Sequence, residues 1–431
     1  MQELAKKYGE VCTIMLGSTP VVLVSGYQAV KEVLVNRGHE FADRPITPIF
    51  TKLTHNIGIA LAPYGDAWKQ QRRFALSTLR NFGFGKATIA DKILIEARYL
   101  IETFKQETSA FDPHLNLNNA VGNIICSLLN GIRYDYNNEQ FQKLTHLLEH
   151  LVQLQAEPLV ILCNVFPFLL KLPGPWQKVF HIHTKLQCLL KDIVSEHRAT
   201  RDQHNPRDLI DSYLARMDQE KDNPNSSFTD QTLIQILIEL FLEENLIMLI
   251  LDLFVAGTET TSTTLRWGLL FMMIYPDIQA RCHEEIDRIV GSDRLPCMED
   301  RHSLPYLDAV IHEIQRFSNI VPFAAPHATT TDVKLRQYSI PKGTIIMVNM
   351  KSVLSDENHW KTPYEFSPEN FLDEDGKFVK SDAFLPFSAG PRVCLGENLA
   401  KMELFLFFAS LLQHFEFIWP DLVSPPTLDY I

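Results

Sequence analysis

Short β-rich runs occur near the beginning of the chain and again in its last quarter. Residues 11–26 contain two such runs around a Gly-Ser-Thr-Pro turn, which predicts a β-hairpin. Residues 27–38 then have helical spacing of apolar positions, and this predicted helix ends on Gly38. Residues 333–350 are strand-like, with a turn predicted at 340–343. The chain is therefore expected to contain a few small β elements.

Helical spacing of apolar residues dominates 66–300. Two segments interrupt it, the sequence PGP at 173–175 and the polar loop EKDNPNSSF at 220–228. A long coil rich in Pro and Asp fills 355–391, and the last clear helix is predicted over 397–415. No linker is long or flexible enough to divide the chain. The predicted fold class is mainly α with small β-sheets.

The most apolar region, 233–258, is long enough to suggest a membrane span. It carries the acidic residues Glu239, Glu243, Glu244 and Asp252. A spanning helix requires about 20 largely uncharged residues, so the region is better interpreted as a buried core helix. The first residues contain no apolar stretch typical of a signal peptide.

An internal repeat precedes the centre of this region. FTDQTLIQILIEL (228–240) is similar to FLEENLIMLILDL (241–253) at a shift of thirteen residues. Thirteen residues turn a helix by about 220° net, so the two copies cannot present the same face in one straight helix. One interpretation is chance similarity between leucine-rich turns. The favoured one is a local duplication in which only the second copy holds the functional position.

Composition excludes several classes of function. The 431 residues are 46% hydrophobic, and the net charge is −12. A protein that binds nucleic acid would normally be basic, so this class is unlikely to apply. The seven cysteines are odd in number, widely spaced and without a CxxC pair, which argues against a disulfide framework or a zinc site. A reducing compartment fits this cysteine usage best.

The segment FSAGPRVCLG (387–396) combines an aromatic residue, glycines and a single cysteine just before an apolar helix. Unpaired N–H groups and the helix dipole at such a position lower the pKa of Cys394 and favour the thiolate, which ligates iron. Gly390 and Gly396 would let a planar macrocycle approach the backbone, and Arg392 could pair with an anionic group on it. Alternatively, Cys394 is only a small buried apolar residue.

This segment, from Phe387 to Gly396, resembles the haem-thiolate loop of the cytochrome P450 monooxygenases, FxxGxRxCxG. The resemblance covers essentially the whole chain and is strongest to the vertebrate microsomal second family. Within that family it favours the branch that epoxidises and hydroxylates polyunsaturated fatty acids. It implies a cytochrome P450 fold with a long central helix over the haem, a single catalytic domain over 1–431, haem b as cofactor and Cys394 as axial ligand of the iron.

AGTETT (256–261), in the middle of the long apolar helix, matches the family's acid–alcohol motif above the iron. The resemblance makes Glu259 and Thr260 the catalytic pair that delivers protons to dioxygen. It places Ala256 and Gly257 against the haem, where the helix opens for dioxygen. A threonine hydroxyl can also bond to the carbonyl one turn earlier and bend the helix. By itself, a threonine-rich run is equally typical of a polar helix face.

HEIQR (312–316) contains the pair Glu313 and Arg316, which share one face of a helix. Its beginning is similar to the zinc motif HExxH, but the fifth residue is arginine, so a second zinc ligand is missing. In the family this pair is structural and meets an arginine of a PERF-like motif. Here the motif is SPENF (367–371), and Asn370 stands in place of the arginine.

The resemblance also implies partners for the two haem propionates. WKQQRRF resembles the family's WxxxR helix, which assigns Trp68 and Arg72 to a propionate. Arg44 in FADRP, His327 in PHATT and Arg392 are the other expected partners, because buried carboxylates need such donors. Taken singly, each basic residue is more often a solvated surface charge.

The function implied is insertion of one oxygen atom from O2 into an apolar organic substrate, either a polyunsaturated fatty acid or a xenobiotic. The chain has no GxGxxG loop, so electrons are expected to come from a separate reductase. The resemblance implies that this is an NADPH-dependent reductase, with cytochrome b5 as a second partner. Lys69, Arg72 and Arg73 form a basic patch that could dock it, or a solvated helix face. The resemblance places the protein on the cytoplasmic face of the endoplasmic reticulum membrane, with peripheral membrane contact.

Several departures from the family leave alternatives open. By comparison with the family, we expect the N-terminal anchor and the C-terminal β segment to be missing, the first repeat copy to be extra, and Pro391 to replace a basic residue. These suggest a truncated or spliced product or an imperfect gene model. The alternatives are a haem-binding but silent isoform, a helical partner-binding protein without haem, and a haem-thiolate isomerase. The sequence does not name the substrate; pocket candidates are 45–62, 155–170, Leu253, Ala256 and 320–325.

Overall fold

The structure is a computed structural model that describes residues 2–83, 87–202, 204–221 and 231–420, with side chains of 231–242 excluded. The chain forms two compact units. Unit 1 comprises 1–45, 85–120 and 260–431, and unit 2 comprises 46–84 and 121–259. The expectation of a single domain stays a prediction.

Helices account for most of the described residues. In chain order they are α1 (Gln2–Tyr8), α2 (Tyr27–Lys31), α3 (Pro48–Thr54), α4 (Asp66–Asn81), α5 (Ala87–Gln106), α6 (His114–Leu129), α7 (Glu139–Gln155), α8 (Pro158–Val165), α9 (Trp176–Thr200), α10 (Leu209–Lys221), α11 (Gln231–Ile274), α12 (Pro276–Ile289), α13 (Pro305–Ser318), α14 (Met350–Leu354) and α15 (Glu397–His414). The predicted helical region, its break at 173–175 and the last helix are confirmed. The predicted coil over 355–391 is confirmed apart from short 3₁₀ turns at Pro368–Phe371 and Gly390–Arg392.

The strands form two small sheets in unit 1. They are β1 (Val11–Leu16), β2 (Thr19–Val24), β3 (His327–Ala328), β4 (Val333–Leu335), β5 (Tyr338–Ile340) and β6 (Ile345–Val348). The larger sheet has the order β1-β2-β6-β3, in which β2 and β6 are parallel and the other neighbours antiparallel. β4 and β5 form a separate hairpin. The mainly α fold with small β-sheets is therefore confirmed.

The first hairpin is confirmed, but its turn is shorter than predicted. Thr19 and Pro20 belong to β2, where they pair with Leu16 and Met15. Gly17 has a φ of 61°, a conformation that glycine adopts without a steric penalty. The chain can therefore reverse within two residues.

The helix predicted over 27–38 is only partly correct. α2 ends at Lys31 and continues as a π-helical turn, Glu32–Asn36, while Gly38 begins a 3₁₀ turn that runs to Phe41. The wider π turn brings the carbonyl of Leu34 against Gly390, where a Cβ would lie 1.7 Å from that oxygen. Gly390 also has a φ of 74°. Glycine is thus required here by a backbone contact within unit 1.

The long helix α11 runs without a break from residue 231 of the first repeat copy through the whole of the second copy. By length and composition its segment Glu243–Ile274 could cross a membrane, with a mean hydropathy of 1.3, but 56% of its most apolar window is buried in the protein. This burial favours the core-helix interpretation. Residues 222–230 lie outside the described residues, as do the side chains of 231–242 and the end of the chain from 421. The predicted insertion and shortened C-terminus therefore stay predictions.

Helix α13 is buried along nearly its whole length and carries an ion pair. Glu313 and Arg316, 0% and 2% exposed, form two hydrogen bonds of 2.7 and 2.6 Å. Asn370 donates to Glu313 at 3.2 Å, so the residue that replaces the family's arginine is a neutral third partner. Arg316 also donates to the backbone carbonyls of Leu354, Pro363 and Glu365, which fixes the path of the coil after α14.

Unit 2 contains a buried polar cluster that sequence analysis did not identify. His197 donates from Nδ1 to the carbonyl of Ile193 and from Nε2 to Asp208, both at 2.9 Å. Although burial opposes it, the bond to Asp208 raises the pKa of His197. Arg207 binds both carboxylate oxygens of Asp211. His197, Asp208 and Asp211 lie close enough to hold a metal ion, but these bonds already satisfy them as a structural ion-pair network.

Substitution Gly390→Ala tests the contact with Leu34. We expect it to lower the free energy of unfolding by about 2–4 kcal/mol, because a left-handed alanine is strained and its Cβ collides with a backbone oxygen. Gly376 is the matched control, since it has the same φ of 74° but no atom within 4 Å of its Cβ position. Gly376→Ala should cost only about 1 kcal/mol. Equal urea midpoints for the two variants would contradict the proposed contact.

Candidate functional site

The cysteine loop, residues 387–396, closes on itself in unit 1. The backbone N–H of Cys394 donates to the carbonyl of Phe387 at 3.0 Å, and that of Val393 donates to Gly390 at 3.1 Å. Helix α15 begins at Glu397, directly after Gly396. Cys394 is exposed, which argues against the alternative of a small buried apolar residue. The loop therefore presents an exposed thiol two residues before the N-cap of α15.

Gly396 leaves space beside the thiol. A Cβ added there would have Sγ of Cys394, 3.9 Å away, as its one neighbour within 4 Å. Gly390 differs, because the Leu34 carbonyl explains its glycine without any ligand. All seven cysteines lie in the described ranges and none is in a disulfide.

Three basic residues of unit 1 lie around the segment 41–44. Arg392 donates from Nε to the carbonyl of Ala42 at 2.8 Å, and His327 donates from Nδ1 to that of Phe41 at 2.8 Å. Arg44 donates from Nη1 to the carbonyls of Ala325 and Pro326. These carbonyl acceptors fix the orientation of the three side chains.

The pKa of His327 reflects both its burial and the positive charges of its neighbours. Burial first, and then the charges of Arg44 and Arg392, lower the pKa of His327 to about 3. The two arginines are each 8% exposed and the histidine 3%. Buried positive charge of this density favours an anionic ligand such as a carboxylate.

Helix α11 has one accessible face in an otherwise buried stretch. Ala256 and Thr260, one turn apart, are exposed, whereas Phe254, Thr258 and Thr261 are buried. Thr264 donates its hydroxyl to the carbonyl of Thr260 at 2.8 Å, which is the back-bonding expected of this threonine run. Two of the residues predicted to face the cofactor, Ala256 and Thr260, are therefore solvent-accessible.

Glu259 and Gly257 complete this part of the helix. Glu259 is partly exposed and lies beside Thr260 in the chain. A Cβ at Gly257 would lie 2.5 Å from Cδ1 of Ile125, so packing against α6 in unit 2 is one reason for this glycine. The role of Glu259 in proton delivery stays a prediction.

Trp68 and Arg72 lie one turn apart on α4 in unit 2. The guanidinium carbon of Arg72 is 5.5 Å from the centre of the indole ring, at a distance typical of a cation–π contact. Trp68 is buried and donates its indole N–H to the carbonyl of Ile59 at 3.0 Å. A hydrogen bond from Trp68 to a propionate would require that this bond be exchanged.

Asp252 is a residue whose position sequence analysis missed, since it counted only as a charge in an apolar helix. Its Oδ2 accepts the backbone N–H groups of Ile59 and Ala60 at 2.7 and 3.0 Å. Burial raises the pKa of Asp252 to about 6, although these two donors oppose the shift. The carboxyl therefore connects α11 with the loop before α4, within unit 2.

Glu403 on α15 is a second missed acid. It is 1% exposed, one carboxyl oxygen accepts the hydroxyl of Thr261 at 3.3 Å, and the other has no hydrogen-bond partner. Burial raises the pKa of Glu403 well above its usual range. A buried carboxyl group therefore lies beside the residue that follows Thr260. Its one sequence signal is a lone charge within the apolar run MELFLFF.

The structure brings Arg44, His327 and Arg392 together and places them in the same unit as Cys394. Other predicted site residues of unit 1 are Thr260, Phe387, Gly390 and Gly396. Those of unit 2 are Trp68, Arg72, Ala256, Gly257 and Glu259.

Comparisons with known proteins show the family to which the chain is similar. The family model described as Cytochrome P450 matches residues 1–430. Cytochrome P450 2C20 of Macaca fascicularis is 47% identical over 413 residues, which cover 95% of this chain and 81% of that protein. Cytochrome P450 2J2 of Homo sapiens is 44% identical, with 98% and 81% covered. Cytochrome P450 2F2 of Mus musculus is 44% identical, with 100% and 84% covered.

The pKa of Asp252 gives a pH-dependent prediction. Because its pKa in the folded state, about 6, exceeds the unfolded value of 3.8, folding binds a proton between these values. We expect this residue's contribution to the free energy of unfolding to increase as pH falls from about 7 to about 4. Asp252→Asn, which keeps an acceptor, should remove that part of the pH dependence.

Urea midpoints measured across this pH range test it. Asp252→Ala is the comparison, since it leaves two N–H groups without an acceptor and should cost about 1–3 kcal/mol at pH 7.5. Asp252→Asn should not be destabilised at this pH. Equal destabilisation by both variants would show that the side chain at position 252 does not stabilise the protein by accepting these hydrogen bonds.

Proposed function

The chain belongs to the cytochrome P450 family of haem-dependent monooxygenases, and we propose that it oxygenates apolar substrates such as polyunsaturated fatty acids or xenobiotics. The observation that carries the proposal is the exposed thiol of Cys394 in a closed loop at the start of α15. Relatives from subfamilies C, J, F and D match at 44–47% identity, which supports the second family as a whole. The relatives support the family, whereas the substrate class is our proposal.

The chain's residues fit a haem. An accessible thiol beside Gly396 suits an iron ligand, and the buried positive charge of Arg44 and Arg392 suits propionate carboxylates. We propose that Cys394 is the axial ligand and that Arg44, Arg392 and His327 bind propionates, with Trp68 and Arg72 as further contacts. A carboxylate beside His327 would raise its pKa again, and protonated Nε2 could then donate to it.

When bound, the haem supplies the iron centre at which dioxygen is reduced and one oxygen atom is transferred to the substrate. In the proposal, Thr260 offers a hydroxyl on the accessible face of α11, and Glu259 beside it holds a proton for transfer. Thr264 fixes the carbonyl of Thr260 and so limits rotation of that turn. The exposed apolar residues Ala256 and Val321 are proposed to contact the substrate.

Electrons are proposed to come from a separate NADPH-dependent reductase, with cytochrome b5 as a second donor, because the sequence contains no GxGxxG loop. Lys69 and Arg73 are exposed on α4 beside Arg72, which supports a basic docking surface there. This combination of Cys394 and the Glu259–Thr260 pair favours turnover over silent haem binding.

We also propose peripheral contact with the endoplasmic reticulum membrane. Large apolar side chains are exposed together on α8 and the following turn in unit 2; they are Leu159, Ile161, Leu162, Phe166, Phe168 and Leu172. Contiguous exposed apolar side chains are typical of membrane or protein contacts.

Substitution Cys394→Ala tests the ligand assignment. The reduced wild-type protein with carbon monoxide should show the strongly red-shifted Soret band of thiolate-ligated haem, and the variant should lose it because no thiolate remains. Cys188→Ala, which removes another exposed cysteine, should keep the band. The same red-shifted band in both variants would exclude Cys394 as the ligand.

Substitution Thr260→Ala tests proton delivery. With reductase, NADPH, lipid and arachidonic acid, product formation should fall on the order of 100-fold while hydrogen peroxide release increases, because a positioned proton donor is lost. Thr260→Ser keeps the hydroxyl and should retain most of the coupling. Unchanged ratios of product to peroxide in Thr260→Ala would refute the role assigned to this hydroxyl.

A further inference from the structure

The first two turns of α15 carry a charged pair next to the cysteine loop. Lys401 donates to Oε1 of Glu397 at 2.5 Å, and its ammonium lies 5.8 Å from the centre of the Phe387 ring. The two charged side chains are 25% and 30% exposed, so solvent screens them only in part. The ammonium of this pair thus lies over the aromatic ring of Phe387, the first residue of the loop.

Phe387 is connected directly to the thiol-bearing residue, since its carbonyl accepts the N–H of Cys394. Glu397 follows Cys394 by three residues and is the first residue of α15. The ammonium, the ring, the carboxylate and the thiol therefore belong to one tightly connected segment of unit 1. Neither charged residue is needed to close the loop, which its backbone bonds already do.

Fixed charges near a redox centre change the free energy of adding an electron to it. A cation stabilises the reduced state and an anion destabilises it, by an amount that decreases with distance and solvent screening. The potential of a thiolate-ligated iron also depends on the charges and hydrogen bonds around the sulfur. Glu397 and Lys401 have opposite signs, so they should act in opposite directions.

We propose that the Glu397–Lys401 pair sets the reduction potential of the haem iron, which Lys401 raises and Glu397 lowers. In this role Phe387 holds the ammonium beside the cysteine loop, and both charged residues act as positioning residues through the electrostatic field at the thiolate. The inference rests on the proposed function, because it requires Cys394 to ligate haem. It adds two residues whose charge, rather than contact with the substrate, determines how readily the iron accepts its electron.

The experiment is a redox titration of the purified haem protein with dye mediators and dithionite, without reductase or substrate. Lys401→Gln should lower the equilibrium constant for one-electron reduction about threefold, and Glu397→Gln should raise it about threefold. At 59 mV per tenfold for one electron, these are shifts of roughly 30 mV in opposite directions. Lys401→Arg keeps the positive charge, so its reduction potential should stay within about 10 mV of the wild-type potential.

Two variants serve as matched controls. Lys380 also lies over a phenylalanine, Phe384, at 5.9 Å, so Lys380→Gln removes a similar cation–π contact outside residues 387–396. Glu102 accepts from Lys105 at 2.9 Å in a more exposed pair, so Glu102→Gln removes the same charge as Glu397→Gln at another helix. Both controls should leave the potential near the wild-type value. A role of Lys401 in docking a reductase would not change a titration that contains no reductase.

The outcomes separate the inference from the function on which it rests. A thiolate-type carbon monoxide band together with opposite shifts in Lys401→Gln and Glu397→Gln supports both. The same band with equal potentials, or with shifts of one sign, overturns the role of the pair and leaves the haem ligand intact. Absence of that band from the wild-type protein overturns the proposed ligand itself.

Discussion

The buried ion pair between Glu313 and Arg316 is the constraint on which the coil leading to the cysteine loop depends. Two charges inside a protein cost more than their mutual attraction returns unless further hydrogen bonds satisfy them. Here the backbone of 354–367 supplies these bonds: Arg316 donates to four of its carbonyls, and Ser367 donates its N–H to Glu313. A segment with little regular structure thereby has one defined path. Asn370 contributes without adding a second positive charge, so the buried group stays neutral as a whole.

Much of this architecture could be predicted from the sequence where local chemistry determines it. The periodic helices, the β1–β2 hairpin and the loop around Cys394 have signals that lie within a few residues. The π-helical turn before Gly38 could not be predicted, because helical spacing does not distinguish a π turn from an α turn. The steric reason for a glycine at position 390 could not be predicted either, since its neighbour Leu34 lies 356 residues away in the sequence. Asp252 was missed similarly, because its partners are backbone N–H groups of a distant loop.

Burial shifts the pKa values of a base and of two acids in opposite directions. Around residues 41–44, burial first and then the charges of Arg44 and Arg392 lower the pKa of His327. On α11 and α15, burial raises the pKa values of Asp252 and Glu403, although hydrogen bonds oppose both shifts. In each case the uncharged form of the group is favoured. In the proposed function, Arg44 and Arg392 then supply the positive charge for an anionic ligand.

The contact between Leu34 and Gly390 also has a consequence for biosynthesis. Leu34 is translated 356 residues before Gly390, so the two can meet only after the polypeptide between them has been made. A nascent chain that has not yet reached residue 390 therefore cannot pack the cysteine loop against the π turn. In the proposed function, ligation of haem by Cys394 likewise requires that synthesis has passed residue 394.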